Sequence, residues 1–366
     1  MFKRLQRLRE ELAAWDLDAL VVADNASIRY LTGFTGSYGV LLVTGDDAYL
    51  VTDGRYEEQV RCECPDIPLA SIEKELNWAE AATAVIEKLH LDRIGFEDHA
   101  VNYRNWSQLE TALPFVELVP ARDMVLQLRL VKDEDEIAAL REAVRIADLA
   151  YEHIIGYMKP GIREIDIALE LDFFMRGCGA EREAFETIVA SGPRSAMPHG
   201  KPTDRVVSEG ELIVLDFGAR WRGYHSDITR TVVLGQPDPR QEELYAVVLE
   251  AQAKAMEVVR PGVLGRQVDG AARAYLTTKG FSDYSEHGFG HGLGLTIHDG
   301  KIINQHSDVA LEAGMVITVE PGIYIPEWGG VRIEDDVLVT ESGYEVLTKS
   351  PKALSLSYCA QVAGKE

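Results

Sequence analysis

Cysteine is scarce in this chain. Only Cys62, Cys64, Cys178 and Cys359 occur among 366 residues. Cys62 and Cys64 stand too close for the CxxC spacing of a metal knuckle, and the other two stand alone. This excludes a thiolate zinc site and a disulfide framework, and the thiols are expected to be reduced and unpaired. Long apolar runs are also missing. No uninterrupted stretch of ~18 apolar residues exists, so no transmembrane helix is expected. The first residues, MFKRLQRLREELAAW, scatter charges over an amphipathic pattern and lack the apolar core and small-residue cleavage site of a signal peptide. A cytoplasmic protein is expected. Basic residues are in deficit, 37 Lys and Arg against 60 Asp and Glu, for a formal net charge of −23. Such a surface repels phosphate, which argues against nucleic acid and anionic membranes as partners. Most of this acidity reads as a solubility device, and a few of the acids remain available as cation ligands.

The rest is ordinary for a globular protein: 46% hydrophobic and 27% charged residues. The length predicts about two domains, and Pro120 to Met124 reads as their junction, giving domains 1–122 and 123–366. In the first, Leu5, Leu8, Leu12 and Trp15 recur at helical spacing. The stretches 19–24, 39–44, 48–53 and 93–97 read as strands, and 78–90 and 103–112 as helices. GFTGS, at 33–37, lacks the spacing of a phosphate loop and reads as a turn. In the second domain a helix over 132–158 carries Ile137, Leu140, Val144, Ala147 and Tyr151 on one face and ends at Pro160-Gly161. Further helices are expected at 163–178, 239–259 and 265–279. Each half of this region offers helices followed by a hairpin with two carboxylates, a hint of internal duplication.

The first hairpin is ELIVLDFGARWRGYHSDITRTVVL, residues 211–234. With its turn centred on Trp221-Arg222, Ala219 faces Tyr224 and Asp216 stands opposite Asp227. Directly opposed strand residues hold their β-carbons about 4.5–5.5 Å apart, so two acids there repel unless a cation lies between them. Two unrelated solvent-facing acids are the plain alternative, but Asp216 interrupts an otherwise apolar strand, and lone charges are rarely buried unpaired. The second hairpin spans 314–340. A symmetric count about Glu327 sets Glu320 opposite Glu334, with Arg332 on the same face as Glu334. Between the hairpins, His287, His291 and His298 lie in a segment whose Gly288, Gly290, Gly292 and Gly294 strip one face of side chains, which suits close approach by a ligand or another backbone. Four carboxylates and one imidazole, without thiolate, suit manganese, with cobalt or zinc as further candidates. Two ions about 3.5–4 Å apart would hold a hydroxide between them, activate water and polarise a carbonyl.

Five elements in order resemble the creatinase/aminopeptidase P/prolidase superfamily: MPHG (197–200), LDFGARWRGYHSDITRT (215–231), HGFGHGLGLTIHD (287–299), VITVEPGIY (316–324) and GGVRIED (329–335). The resemblance covers about 125–357. It extends to IRYLTGFTGSYGVLLVT and LVTDGRYEEQ, which look like the N-terminal domain of the longer members. It implies an α/β creatinase-like N-terminal domain and an α+β pita-bread catalytic domain with a curved antiparallel sheet. By that resemblance Asp216, Asp227, His291, Glu320 and Glu334 match the metal ligands, Asp227 and Glu334 the bridging pair. His199 and His298 match the histidines that contact substrate and help shuttle protons, and His287 a further histidine near substrate. Arg332 matches a charge partner for ligands or for a substrate carboxylate, and Glu320 is also the acid expected to protonate the leaving nitrogen.

The implied reaction is hydrolysis between an N-terminal residue and a following proline in short peptides, by a hydroxide bridging two divalent ions, most expectedly manganese. The alternative is a metallo-aminopeptidase without strict proline preference. A non-catalytic pita-bread binding module is disfavoured, because such members lose ligands that this chain keeps. A homodimer is expected. After His298, Asp299-Gly300-Lys301 departs from the Glu of many shorter members, which bears on the shape and charge of the neighbouring pocket.

Overall fold

A computed structural model of the chain describes residues 2–72, 77–300 and 302–357. Cys359 and Lys301 lie outside the described residues. The chain forms two compact units, Met1–Arg129 and Leu130–Glu366.

The first unit is built on a six-stranded mixed sheet. Its strands run in the order Leu69–Ile72, Ala48–Asp53, Val40–Thr44, Ala19–Val22, Arg93–Phe96, Glu117–Pro120. The strands 19–22, 40–44 and 48–53 pair antiparallel and the remaining neighbours pair parallel, which gives the α/β character expected. In the first helix, Phe2–Ala14, Leu5, Leu8 and Leu12 are buried, but Trp15 falls beyond the helix and stays exposed. The strand at 19–22 ends sooner than its pattern implied. Asp24 accepts a hydrogen bond from the Ser27 N–H and caps a helix over Asn25–Thr32. Gly33 closes that helix in the left-handed conformation, φ 86°, so the GFTGS glycine is a helix stop.

In the second unit a helix at Glu134–Tyr157 begins with a reciprocal cap between Asp133 and Glu136. Helices follow at Glu164–Gly177, Pro239–Met256 and Gly265–Thr278. One core packs Ile146, Tyr151, Ile167 and Leu171 of the first two helices against Ile213, Leu215 and Val232 of the first hairpin. Another packs Val248, Ala251, Val268 and Leu276 of the last two against Ile317, Val331 and Val337 of the second. The twofold repetition hinted at in the sequence is thus a repeated packing of two helices on one hairpin. Each fully buried Leu, Ile or Val contributes about 1.5–3 kcal/mol, so each hairpin is anchored on its outer face.

The register of the first hairpin differs from the sequence-based expectation. Leu212–Phe217 pairs with Ile228–Leu234 so that Asp216 faces Thr229, and Trp221 faces Tyr224. The turn is therefore Arg222-Gly223, not Trp221-Arg222, and both turn residues have positive φ, 48° and 82°. Such turns match the twist of the flanking strands, and glycine at the second position makes them accessible. Asp216 is thus not directly opposite Asp227. The slip is two residues, however, so side-chain parity is kept and Asp227 stays on the Asp216 face, one diagonal step away. The ladder is interrupted there, and the backbones approach so closely that a β-carbon on Gly218 would lie 1.8 Å from the Ser226 carbonyl oxygen. In the second hairpin Val319 pairs with Asp335 and Gly322 with Arg332. No residue is gained or lost between those two ladders, so Glu320 stands across from Glu334 as the symmetric count placed it. Glu327, at the loop centre, has φ 64°.

Candidate metal centre

The strand faces bring the acids together, and threonines two residues away aim them. Thr229, two residues after Asp227, donates its hydroxyl to Glu334 Oε2 at 2.6 Å and accepts from Arg332 Nε–H at 2.9 Å. Thr318, two residues before Glu320, donates to Glu320 Oε1 at 3.3 Å and accepts from the His291 N–H at 3.0 Å. Asp336, two residues after Glu334, accepts from the Asp227 N–H at 3.0 Å. None of these three partners is among the candidates that the sequence singles out. The signal was available, since each lies two residues from a candidate ligand on the same strand face.

His291 is oriented by its own segment. Its Nδ1 lies 3.0 Å from the Gly292 carbonyl oxygen, which can only accept, so Nδ1 carries a proton and Nε2 is the nitrogen turned toward the acids. That Nε2 lies 3.5 Å from Asp227 Oδ2 and 3.6 Å from Glu320 Oε1. Ligand atoms of Asp227, His291 and Glu334 all lie within 4.8 Å of one another. The glycines act chiefly by letting backbone approach backbone: a β-carbon on Gly290 would sit 2.1 Å from the Thr318 carbonyl oxygen, and one on Gly292 2.0 Å from that of Asp299.

These acids are hard to keep charged without a cation. Burial, and then the charges of Glu334, Asp216 and Glu320, push Asp227 well above the ordinary carboxylate range. Burial, with Glu320 and Asp216, does the same to Glu334. Burial also raises Glu320, against the pull of His291 and Arg332. Meanwhile Asp216 Oδ1, Asp227 Oδ1 and Glu334 Oε1 are buried without a hydrogen-bond partner. Buried polar atoms are nearly always paired. Three orphaned carboxylate oxygens beside an imidazole nitrogen form the donor set that a hard or borderline divalent cation takes.

Arg332 is 3% exposed and its guanidinium is committed to the protein. Nη2 pairs with Asp216, Nη1 donates to Tyr324 Oη at 2.6 Å and to the Pro198 carbonyl oxygen at 3.0 Å, and Nε–H goes to Thr229. Around these groups lies a cavity of about 580 Å³. All nine candidate residues line it: His199, Asp216, Asp227, His287, His291, His298, Glu320, Arg332 and Glu334. Its apolar wall, Phe185, Ile188, Ile297 and Ile303, together with Tyr324, was not foreseen. The rings of His291 and His298 meet edge to face at 4.3 Å. This requires the chain to bend after Leu293, as the odd spacing of the two histidines demands. His287 donates Nδ1–H to the Gly288 carbonyl oxygen at 2.6 Å, and burial pushes its pKa down to about 4. Asp299 turns away from the cavity. It is 1% exposed and pairs with the equally buried Lys132 at 3.4 Å, so its charge does not reach the pocket directly.

A buried, carboxylate-rich centre with one imidazole, at the base of a cavity on paired hairpins, defines a metallohydrolase. The sequence model for metallopeptidase family M24 matches residues 138–341, and that for the creatinase/prolidase N-terminal domain matches 4–131. The chain belongs to metallopeptidase family M24, and its second unit has the pita-bread fold. It is 43% identical to the uncharacterized peptidase YqhT of Bacillus subtilis, over 96% of this chain and 99% of that one. The solved structure of an Xaa-Pro dipeptidase from Bacillus anthracis superposes with TM-score 0.93 at 42% identity, covering 97% and 99% of the two chains. That of an X-Pro aminopeptidase from Thermotoga maritima superposes with TM-score 0.86 at 36% identity, covering 93% and 98%.

Proposed function

We propose that this protein is an Xaa-Pro peptidase that hydrolyses the bond between an N-terminal residue and a following proline in short peptides. The observation that carries the reading is the convergence of the orphaned oxygens of Asp216, Asp227 and Glu334 with His291 Nε2 and Glu320 at one cavity. Its support in kind is the likeness to relatives named for Xaa-Pro cleavage. Asp216, Asp227, His291, Glu320 and Glu334 would hold two divalent cations, manganese first among them, with Asp227 and Glu334 shared between the two. When bound, the cations supply Lewis acidity toward the scissile carbonyl and acidify the attacking water.

The remaining work falls to side chains. An Xaa-Pro bond is a tertiary amide without an N–H, so the site needs no acceptor for one. It must instead protonate the proline nitrogen as it leaves. Glu320 suits that role because its side chain is 18% exposed, against 10% for Asp216 and 7% for Asp227. It can take a proton from the attacking water and return it to the nitrogen. His199 and His298, exposed on the cavity wall, contact the carbonyl and the pyrrolidine side. His287, neutral at physiological pH, contributes an uncharged wall. Arg332 acts as the charge partner of the ligands, because its buried guanidinium is hydrogen-bonded to Asp216, Tyr324, the Pro198 carbonyl oxygen and Thr229.

Free cysteines at 62, 64 and 178 accord with action in the reducing cytoplasm, and among the described residues no helix is long and apolar enough to cross a membrane. The reading includes a homodimer, which light scattering on the purified protein tests. The test of function is kcat/KM for Ala-Pro against Ala-Ala, and for Ala-Pro-Ala against Ala-Ala-Ala. Proline should be strongly preferred. Equal values for proline and alanine at both lengths would leave a general metallo-aminopeptidase. The ratio of Ala-Pro to Ala-Pro-Ala separates dipeptidase from aminopeptidase.

A further inference from the structure

We infer that Glu164, which takes no part in the chemistry above, is the positioning residue for His199; the inference rests on the reading of His199 as a substrate-contacting group. His199 lies outside any strand or helix, on the segment 192–202 that follows the strand Ile188–Ser191. Its place in the cavity therefore depends on how that segment is tied down.

Glu164 ties it at both ends. The residue is fully buried at the start of the helix Glu164–Gly177. Its Oε1 accepts from the Ser191 N–H and hydroxyl, both at 2.8 Å. Its Oε2 accepts from the Thr203 N–H at 3.1 Å, from the Thr203 hydroxyl at 2.7 Å and from Arg194 Nη1. One carboxylate thus closes the base of the segment, from Ser191 to Thr203. The same Arg194 donates Nη2–H to the Lys201 carbonyl oxygen at 2.7 Å, which spans the segment beneath His199. Arg332 in turn holds the Pro198 carbonyl oxygen. His199 therefore sits on a segment held at Pro198 by the arginine that pairs with Asp216 and at its ends by Glu164, which Arg205 assists at Ser191 and the Ile165 N–H at Thr203.

A buried carboxylate is costly to keep unless its oxygens are fully paired. Here the whole pairing set comes from one segment, from Ser191 and Thr203 at its ends and Arg194 within it. The neighbouring ladder, Ile188–Ser191 against Leu212–Phe217, is backbone-paired without Glu164, so loss of the carboxylate should loosen the segment and leave the ligands in place.

The experiment compares wild type, Glu164→Gln and the milder Thr203→Val, each alone and combined with His199→Ala, with manganese added. Bound metal, hydrogen exchange of peptides covering 192–203, and kcat/KM on Ala-Pro are measured. Glu164→Gln should keep wild-type metal content, speed exchange within 192–203 only, and lower kcat/KM about 10- to 100-fold, as small misplacements of a reacting group do. In the His199→Ala background the same change should cost less than about twofold, because residues acting through one another are not additive. Thr203→Val should show the same pattern at smaller size. A full-size loss in the His199→Ala background, or unchanged exchange at 192–203 in both variants, overturns the inference. Wild type inactive on Ala-Pro would count against the proposed function, and the exchange measurement would then decide the clamp independently.

Discussion

Asp227 and Glu334 each bury one unpartnered carboxylate oxygen, and each is surrounded by other acids. Their raised pKa values have a thermodynamic sign. A carboxylate whose folded pKa lies above its unfolded value lends stability that is complete below the unfolded pKa and lost as pH rises through the folded one. Chelated protein should therefore lose melting temperature as pH rises above about 4, whereas metal-loaded protein should not. The gap between the two Tm curves should widen toward neutral pH, and a constant gap would contradict the burial and repulsion described for these acids. Asp227→Asn or Glu334→Gln should lower bound metal together with rate, and a variant retaining two tightly held metals and near-normal turnover would remove that residue from the ligand set. His298 differs in kind. It is exposed on the cavity wall, with its ring centroid 4.3 Å from that of the half-buried His291. His298→Ala should keep its metal and lose about 10²–10⁴ in rate, the usual worth of positioned proton transfer. Metal loss equal to that of His291→Ala would make it a ligand instead.

Among the elements, the glycine segment and the two hairpins position the site. Gly290→Ala and Gly292→Ala would each drive a methyl to about 2 Å from a backbone carbonyl oxygen, one at Thr318, which orients His291 and Glu320. Each should cost more than about 2 kcal/mol of stability, in the range reserved for core overpacking, and lower metal content. Gly288→Ala, whose nearest contacts would be at 3.2 Å, should lose markedly less by the same Tm and metal assays. The hairpins show how far local pattern carries. The second could be registered from sequence because its loop is symmetric about Glu327. The first could not be, when its turn was centred one residue early, although Arg222-Gly223 has the glycine-second signature of a twisted two-residue turn. The face of each acid was legible even so, because a slip of two residues preserves parity.

For the whole molecule, cations held by the candidate ligands would tie together both hairpins and the glycine segment. Chelation should abolish peptidase activity and lower Tm, with manganese or cobalt restoring both, since a ligand that binds only the folded state stabilises it by mass action. Full turnover by thoroughly demetallated protein would exclude the mechanism. The unit Met1–Arg129 contributes none of the nine candidate residues.

By itself the sequence determined the α/β pattern of the first unit, most helix and strand periodicities, and which acids share a strand face, because residue type and alternation are local properties that survive errors of register; the α+β pita-bread half and the choice of His291 among three histidines came from the family resemblance. Only the tertiary structure decided which strand residues face each other, that Thr229 and Thr318 bond the candidate ligands Glu334 and Glu320, that Asp336 holds the Asp227 N–H, and that Arg332 pairs within the protein. It also decided that Asp299 is turned toward Lys132 and that Glu164 clamps the segment carrying His199. Those arrangements depend on contacts between residues far apart in the chain, where turn geometry, burial and the pairing of buried charges choose among options that any one segment leaves open.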